Sequence, residues 1–277
     1  ASAPVALYLR GEAGVLLSAQ LAIVGSRNPT AAGARTARDF AAYLARAGLT
    51  ITSGLALGID AAAHAGALAG AGRTVAVLGC GLDQLYPPEN TALAERILAQ
   101  GGALLTEFPP GTAPQRENFP RRNRLISGLS LGTLVVEAAR QSGSLITARL
   151  AGAQGREVFA IPGSIHNPLA RGCHELLREG AKLVETAADI LVELKIPFTK
   201  HDLTEPGLGP PVTADEASGL DKDYEILLDA LGFEPQSIDA LVDRTALPSP
   251  HLASMLLILE LEGRVALHAG GRYARVK

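Results

Sequence analysis

The sequence predicts an α/β protein: a doubly wound, mostly parallel sheet followed by a small C-terminal winged-helix domain. Short runs rich in Val, Ile and Leu alternate with Ala-rich amphipathic segments, which is typical of buried strands joined by crossover helices. A Pro- and Gly-rich stretch then interrupts this alternation. After it come three helical segments and a hairpin pattern, which together indicate a winged helix.

The apolar runs place each element of the first domain. We expect strands at residues 21–24, 49–52, 74–78, 103–105, 133–136 and 157–160, with edge strands at 5–8 and 182–184. We expect helices at residues 30–47, 59–71, 90–100, 121–129, 144–154 and 168–179.

The chain is predicted to divide into three parts. Residues 1–196 form the first domain, residues 197–218 a flexible linker, and residues 219–277 the winged helix. Within the last part, helices are expected at 224–231, 237–244 and 249–262, and hairpin strands at 265–268 and 272–276.

Composition restricts the function classes. No apolar run is long enough to cross a membrane, and two cysteines, Cys80 and Cys173, are too few for a zinc motif or a disulfide framework. We therefore expect a cytoplasmic protein without a metal site. Residues 1–196 hold 18 Lys and Arg against 15 Asp and Glu, whereas residues 197–277 hold 7 against 13. A basic patch confined to the first domain favours a groove that binds phosphates.

Two motifs locate this groove. Gly25, Ser26 and Arg27 follow the first strand of the sheet, where ligands of open α/β sheets gather. The turn lacks the G-x-G-x-x-G pattern, so we expect no nicotinamide cofactor, and no cofactor of another kind is predicted.

The second motif is an arginine cluster at a predicted helix start. Its residues are Arg116, Phe119, Arg121, Arg122, Asn123 and Arg124. Guanidinium groups beside an aromatic ring favour a phosphate chain with an unpaired base stacked on the ring. Not all of these arginines can point outwards, and we expect Arg122 or Arg124 to pair with Glu137 or Asp83 inside the fold.

Further contacts are expected nearby. Ser144 is predicted to cap a helix at the same edge and to offer a phosphate seat, and Ser53 and Gly54 end another strand there. The trio Ser53, Asp60 and His64 resembles a catalytic triad in composition. Nothing marks a nucleophile elbow, so we interpret Asp60 as a residue that charges a helix start and predict no catalytic residues.

Several ordered motifs resemble one bacterial family, the DNA processing protein A (DprA/Smf) family. The matching stretches are AIVGSR at 22–27, SGLALGID at 53–60 with His64, LGCGLD at 78–83 with Tyr86, FPRRNRLIS at 119–127, SGSLIT at 142–147, AIPG at 160–163, GCH at 172–174 and EGAKL at 179–183. The resemblance implies an extended Rossmann-like fold that binds single-stranded DNA. It also implies loading of the RecA recombinase in natural transformation, and homodimers formed through His174, Leu177 and Leu183.

Two other function classes stay open at this point. Gly132-Thr133 followed by Glu137 faintly resembles a motif of nucleotide phosphoribohydrolases, although two preceding glycines are missing and the spacing is longer. The alternative is a protein adaptor without a direct DNA role. The winged helix itself fits a protein contact, because the predicted recognition helix, 249–262, contains no Lys or Arg.

Overall fold

The computed structural model describes residues 3–196, 222–232, 234–261 and 263–276. The chain separates into two units, Ala1–Gly209 and Pro210–Lys277. The predicted linker, residues 197–218, and the predicted end of the last helix at Glu262 lie outside the described residues.

The first unit is built on one sheet of eight strands within the described residues. They are β1 Tyr8–Gly11, β2 Gln20–Val24, β3 Thr50–Ser53, β4 Thr74–Val77, β5 Ala103–Thr106, β6 Gly132–Val135, β7 Glu157–Ala160 and β8 Lys182–Leu183. Their order is β1-β5-β4-β3-β2-β6-β7-β8, and every neighbouring pair except β1 and β5 is parallel. The predicted doubly wound, mostly parallel sheet is confirmed.

Helices cover both faces of this sheet. They are α1 Ala31–Arg46, α2 Ile59–Ala69, α3 Thr91–Ala99, α4 Asn118–Leu129, α5 Gly143–Ala153, α6 Arg171–Arg178 and α7 Ala187–Glu193, with short 3-10 helices at Ala13–Leu17 and Pro88–Asn90. Alternate residues of β2 point to opposite faces. Leu21 and Ile23 pack with α1, α2 and α7, whereas Ala22 and Val24 pack with α4, α5 and α6.

Some predicted boundaries differ from the observed ones. Helix α4 begins three residues before the predicted start, because the missing N–H of Pro120 falls in the first turn, where no intrahelical acceptor exists. Helix α6 begins three residues later than predicted, after a turn in which Leu169 N donates to Asn167 Oδ1 over 2.9 Å. Helix α7 was not predicted, although Thr186 and Asp189 form a capping box at its start.

The order of connections creates a crevice in the sheet. From β2 the chain proceeds outwards through β3, β4 and β5, and it then returns to place β6 on the other side of β2. The loops that follow β2 and β6 therefore diverge at the carboxyl edge of the sheet. In open α/β sheets a ligand site lies at such a switch point.

The second unit contains α8 Lys222–Leu231, β9 Gln236–Ser237, α9 Ile238–Thr245, α10 Ser249–Leu261, β10 Val265–His268 and β11 Arg272–Arg275. The three strands form a small antiparallel sheet, so the predicted winged helix is confirmed, with β9 as an additional strand. Leu252, Met255, Leu256 and Leu259 of α10 are buried in its core, as predicted.

A buried arginine fastens the carboxyl edge of the large sheet. Arg122 of α4 is only 4% exposed. Its Nη1 donates to Gly54 O over 2.8 Å and also to Val77 O, so one side chain joins α4 to the ends of β3 and β4. Asp60 completes this network by accepting hydrogen bonds from Gly54 N at 3.1 Å and from Ala56 N at 3.3 Å.

Burial and the neighbouring charge shift the pKa values of Asp60 and Arg122 in opposite directions. Burial raises the pKa of Asp60, and the charge of Arg122 opposes that rise. Burial likewise lowers the pKa of Arg122 to about 10, against the attraction of Asp60. The pKa of Arg122 remains well above neutral pH, and the attraction between the two groups lowers the cost of burying each of them.

Removing this guanidinium should therefore destabilise the first unit. We expect Arg122→Ala to lower the free energy of unfolding by about 3–5 kcal/mol, because two buried carbonyl groups lose their donor and Asp60 loses the nearby positive charge. Chemical denaturation followed by circular dichroism measures the change. The matched control is Arg121→Ala, its exposed neighbour, which should cost less than about 1 kcal/mol. Equal stability of the two variants would contradict a structural role for Arg122.

Candidate nucleic-acid interface

The loop after β2 forms one wall of a cleft at the switch point. Ser26 N donates to Glu137 O over 2.7 Å, which ties this loop to the end of β6. A Cβ at Gly25 would lie 2.6 Å from Ile59 and 2.9 Å from Glu137 O, so the turn admits only glycine. The following residue, Arg27, is exposed at the rim.

An aromatic pair lies beside this arginine. The ring centroids of Tyr86 and Phe119 are 5.8 Å apart at an interplanar angle of 46°. The guanidinium carbon of Arg27 lies 5.8 Å from the Phe119 centroid, and that of Arg122 lies 5.9 Å from it. Phe119 therefore sits between an exposed and a buried cation, and part of its ring remains accessible.

The start of α5 forms the opposite wall. Ser142 is the N-cap, and its Oγ lies 2.7 Å from Ser144 Oγ. The predicted N-cap, Ser144, is wrong, because the helix begins at Gly143 and places Ser144 in its first turn. Asn123 Nδ2 donates to Gly143 O over 3.4 Å, so α4 and α5 meet at this wall.

These walls enclose a cleft of about 700 Å³. Polar and aromatic groups from the loops at the carboxyl edge and from the starts of α2, α4 and α5 line it. The lining residues are Val24, Gly25, Ser26, Arg27, Ala56, Asp60, Tyr86, Arg116, Phe119, Pro120, Arg122, Asn123, Ile126, Ala139, Gln141, Ser142, Gly143, Ser144 and Thr147. Three arginines face one carboxylate, so the cleft is net positive and suits an anionic ligand.

The structure brings most of the predicted site residues together. Eight of them line the cleft: Gly25, Ser26, Arg27, Arg116, Phe119, Arg122, Asn123 and Ser144. These residues come from three separate segments of the sequence, which meet at the carboxyl edge of the sheet.

Two predicted contacts are wrong. Ser53 is fully buried and its hydroxyl donates to Ile23 O over 2.6 Å. Gly54 is also buried, its N–H donates to Asp60 and its carbonyl accepts from Arg122. Neither residue has a free group to offer a ligand, and both instead support the floor of the cleft.

Two predicted arginines point away from the cleft. Arg121 is exposed, and its guanidinium carbon lies 6.0 Å from the Phe108 ring centroid. Arg124 pairs with Glu107 over 2.5 Å. The predicted pairing of Arg122 or Arg124 with Glu137 or Asp83 is wrong. Glu137 accepts hydrogen bonds from Thr30, and Asp83 accepts one from Gly111 N.

Sequence reasoning missed several lining residues. Tyr86 was noted only as part of a family motif, and Gln141, Ser142 and Thr147 were not assigned contacts. A serine and a glycine directly before the apolar start of α5 are a recognisable helix-start pattern, which would have identified Ser142. Nothing local in the sequence indicates that Tyr86 packs against Phe119.

The triad-like residues do not assemble as a catalytic group. His64 is fully buried, its Nδ1 lies 2.6 Å from Thr74 Oγ1, and burial lowers its pKa to about 3. The Ser53 hydroxyl is bonded to Ile23 O rather than to this histidine. Glu137, the residue that the phosphoribohydrolase alternative needs, has both carboxylate oxygens bonded to Thr30.

The residues expected at a dimer interface lie at the β8 edge of the sheet. Leu183 of β8 is 53% exposed. Leu177 is partly buried against the core, and its neighbour Leu176 is a core residue. His174 Nε2 lies 2.9 Å from Gly163 O.

Neither cysteine of the chain forms a disulfide bond, because Cys80 and Cys173 are both buried free thiols. Among the residues that the structure describes, no three His, Cys, Asp or Glu side chains cluster as metal ligands would. In that same part of the chain, no helix combines the length and the apolar character that a membrane span requires.

Comparisons with known proteins agree with this geometry. Residues 1–195 match the family model described as DNA recombination-mediator protein A, and residues 211–271 match the DprA winged helix domain. Protein Smf of Escherichia coli K12 is 47% identical over 277 residues, which cover 99% of this chain and 72% of that protein. DNA processing protein DprA of Bacillus subtilis is 45% identical over 204 residues, covering 73% of this chain and 68% of that protein.

Solved structures extend the comparison. DNA processing protein A from Streptococcus pneumoniae superposes with a TM-score of 0.66 at 45% identity, covering 71% of this chain and 68% of that one. DNA processing protein A from Helicobacter pylori, whose structure concerns its single-stranded DNA binding mode, gives a TM-score of 0.64 at 32% identity, covering 70% and 88%. The chain described here therefore belongs to the DNA recombination-mediator protein A (DprA/Smf) family.

Proposed function

We propose that this protein binds single-stranded DNA in the cleft at the switch point, without strong sequence preference. The observation that carries the proposal is the Phe119 ring, which is partly accessible beside Tyr86 and flanked by the guanidinium group of Arg27. A ring in this setting can stack on any unpaired base, while the arginine holds the adjacent phosphate. The single-stranded DNA binding mode of the Helicobacter pylori relative supports this assignment.

The same geometry favours a single strand over a duplex. A base can reach Phe119 only when it is unpaired, because the ring lies inside a cleft rather than on a convex surface. Stacking uses the π-face that every base possesses, so it carries little sequence information. The first turn of α5 lines the cleft, and the partial positive charge of a helix start suits a phosphate.

The arginines divide into three roles in this proposal. Arg27 and Arg116 are exposed and hold phosphates. Arg122 keeps the floor positive and in place, and Arg124 is structural because Glu107 neutralises it. Arg121 lies outside the cleft and is proposed to contact a strand that extends past it. Asn123 and Ser144 supply polar contacts at the opposite wall.

Removing either exposed arginine should weaken DNA binding. We expect Arg27→Ala or Arg116→Ala to cost about 1–2 kcal/mol of binding free energy and to flatten the salt dependence by roughly one unit each. Fluorescence anisotropy with a labelled oligothymidylate at several salt concentrations measures both quantities. Arg46→Ala, at the far end of α1, is the matched control and should change neither. Equal losses for Arg27→Ala and Arg46→Ala would indicate a general charge effect and contradict the proposed site.

The family resemblance extends the proposal to partners. We propose that the protein acts in the cytoplasm, loads the RecA recombinase onto the bound strand in natural transformation and DNA recombination, and works as a homodimer. The exposed Leu183 on an edge strand supports a contact between copies, because exposed apolar side chains at a sheet edge favour association.

An arginine at the proposed dimer interface should separate the copies. We expect Leu183→Arg to give a folded monomer, because the charge would be buried without a partner where two copies meet. Light scattering measures the mass, and circular dichroism checks the fold. Leu17→Arg is the control, since Leu17 is 91% exposed on a different part of the first unit. An unchanged mass for Leu183→Arg would place the interface elsewhere.

The winged helix is proposed to serve protein contacts more than DNA. Among the described side chains of α10, His251 lies 3.4 Å from Asp223, and Leu257 and Ile258 are exposed. Such a helix offers few donors to base edges or phosphates. Three of the four arginines of this unit lie near the wing, at Arg264, Arg272 and Arg275, and the fourth, Arg244, lies on α9.

Removing the winged helix tests how much it contributes to DNA binding. A chain that ends before Pro211 should keep its affinity for single-stranded DNA within about 1 kcal/mol, the size of one or two screened charge contacts. The affinity of the truncated chain is compared with that of the whole chain at one salt concentration. A loss of about two orders of magnitude would make the winged helix the main DNA-binding element.

A further inference from the structure

Two exposed arginines lie outside the cleft but next to its wall. Residues 139–142 form a turn closed by a hydrogen bond of 2.9 Å from Ser142 N to Ala139 O. Ala139, Gln141 and Ser142 all line the cleft, and Arg140 is the exposed corner residue between them. Arg140 therefore lies on the rim of the cleft, at the side formed by the loop after β6.

The start of α6 is fastened to the same loop. Gly172 N donates to Ala138 O over 2.8 Å. A Cβ at Gly172 would lie 2.6 Å from Ala138 O and 3.0 Å from Ala139 O, so the two backbones are in direct contact. Arg171 immediately precedes this contact and is exposed. Because these two backbone segments are in contact, Arg171, the first residue of α6, lies near the turn that carries Arg140.

Neither arginine has an internal partner. Within the described residues, no hydrogen bond or ion pair engages the side chain of Arg140 or Arg171. Arg171 lies four residues before Glu175, a spacing at which ion pairs form on a helix. Glu175 instead faces Arg149 at 2.5 Å, and Arg149 also binds Glu179 at 3.1 Å. Glu175 is thereby engaged by Arg149, and Arg171 is left without an ion-pair partner on α6.

Glu137, the acidic residue nearest to Arg140 in the sequence, is also engaged by other groups. Both carboxylate oxygens of Glu137 accept hydrogen bonds from Thr30, and the side chain is mostly buried. The free positive charges therefore follow the carboxyl edge of the sheet in one direction. Arg27 follows β2, Arg140 follows β6, and Arg171 follows β7.

We propose that Arg140 and Arg171 hold the phosphates of nucleotides that leave the cleft, so that the DNA path continues along the sheet edge from β2 past β6 towards α6. This inference rests on the proposed function. Three neighbouring strands span about 10 Å, given a spacing of about 4.8 Å between strands. That distance exceeds the rise of one stacked nucleotide, about 3.4 Å, so the added arginines contact nucleotides beyond those in the cleft.

Probes of two lengths distinguish binding along this path from binding in the cleft alone. The probes are an oligothymidylate of about 12 nucleotides, which can occupy both, and a dithymidylate, which can occupy the cleft alone. The variant is Arg140→Ala/Arg171→Ala in the full chain. We expect it to bind the long probe about tenfold more weakly at low salt and to lose roughly two units of salt dependence, one per phosphate contact. Its affinity for the dithymidylate should stay within about twofold of the wild-type value.

The matched control removes two arginines from the opposite edge of the sheet. Arg46 ends α1 and Arg73 precedes β4, and both are exposed. Arg46→Ala/Arg73→Ala changes the net charge equally and should leave both probes unaffected. Circular dichroism melts verify that both variants fold, and Arg140→Gln/Arg171→Gln replaces the alanine pair if that pair does not.

Three results would overturn the proposal. Unchanged binding of the long probe by Arg140→Ala/Arg171→Ala would remove these arginines from the path. Equal weakening by the two double variants would reduce the effect to net charge. Equal weakening on both probes would place the arginines in the cleft itself. If the wild-type chain binds neither probe, the proposed function fails, and this inference fails with it.

Discussion

The whole site depends on one buried guanidinium. Arg122 reaches from α4 to the carbonyl groups of Gly54 and Val77, and Asp60, which also lines the cleft, attracts its charge. An arginine that is almost fully enclosed must have both acceptors and a counter-charge, so these groups cannot move independently. Phe119, one turn earlier on α4, is thereby held at a fixed height beside the loop that carries Arg27.

The neighbouring arginines fall into two groups, those that position the site and those that are available to bind DNA. Arg122 and Arg124 are committed to internal partners, whereas Arg27, Arg116, Arg140 and Arg171 are exposed. The small net charge of the whole chain conceals this arrangement, because the excess of acidic residues lies in residues 197–277. The result is a local positive track along one edge of the sheet, a surface suited to a phosphate chain.

The sequence was sufficient for the fold class and for most of the cleft. Alternating apolar runs located the strands, and the switch-point rule placed Arg27 and the arginine cluster at one edge. The sequence could not show that Ser53 is buried, because the exposure of a residue at a strand end depends on how deep that end lies and not on the residue type. It could not choose the partner of Arg124, since Glu107 comes close only through tertiary packing. Tyr86 was missed for the same reason, as its contact with Phe119 is long-range.

In the proposed mode of binding, the cleft holds an unpaired strand by stacking and phosphate contacts. A salt titration of the wild-type protein against an unstructured oligothymidylate and against its duplex with oligoadenylate is the sharpest test of this mode. We expect tighter binding of the single strand at every salt concentration, and a logarithm of the affinity that falls linearly with the logarithm of the salt concentration. Binding of the single strand that does not change with salt, or tighter binding of the duplex, would rule out this mode of binding.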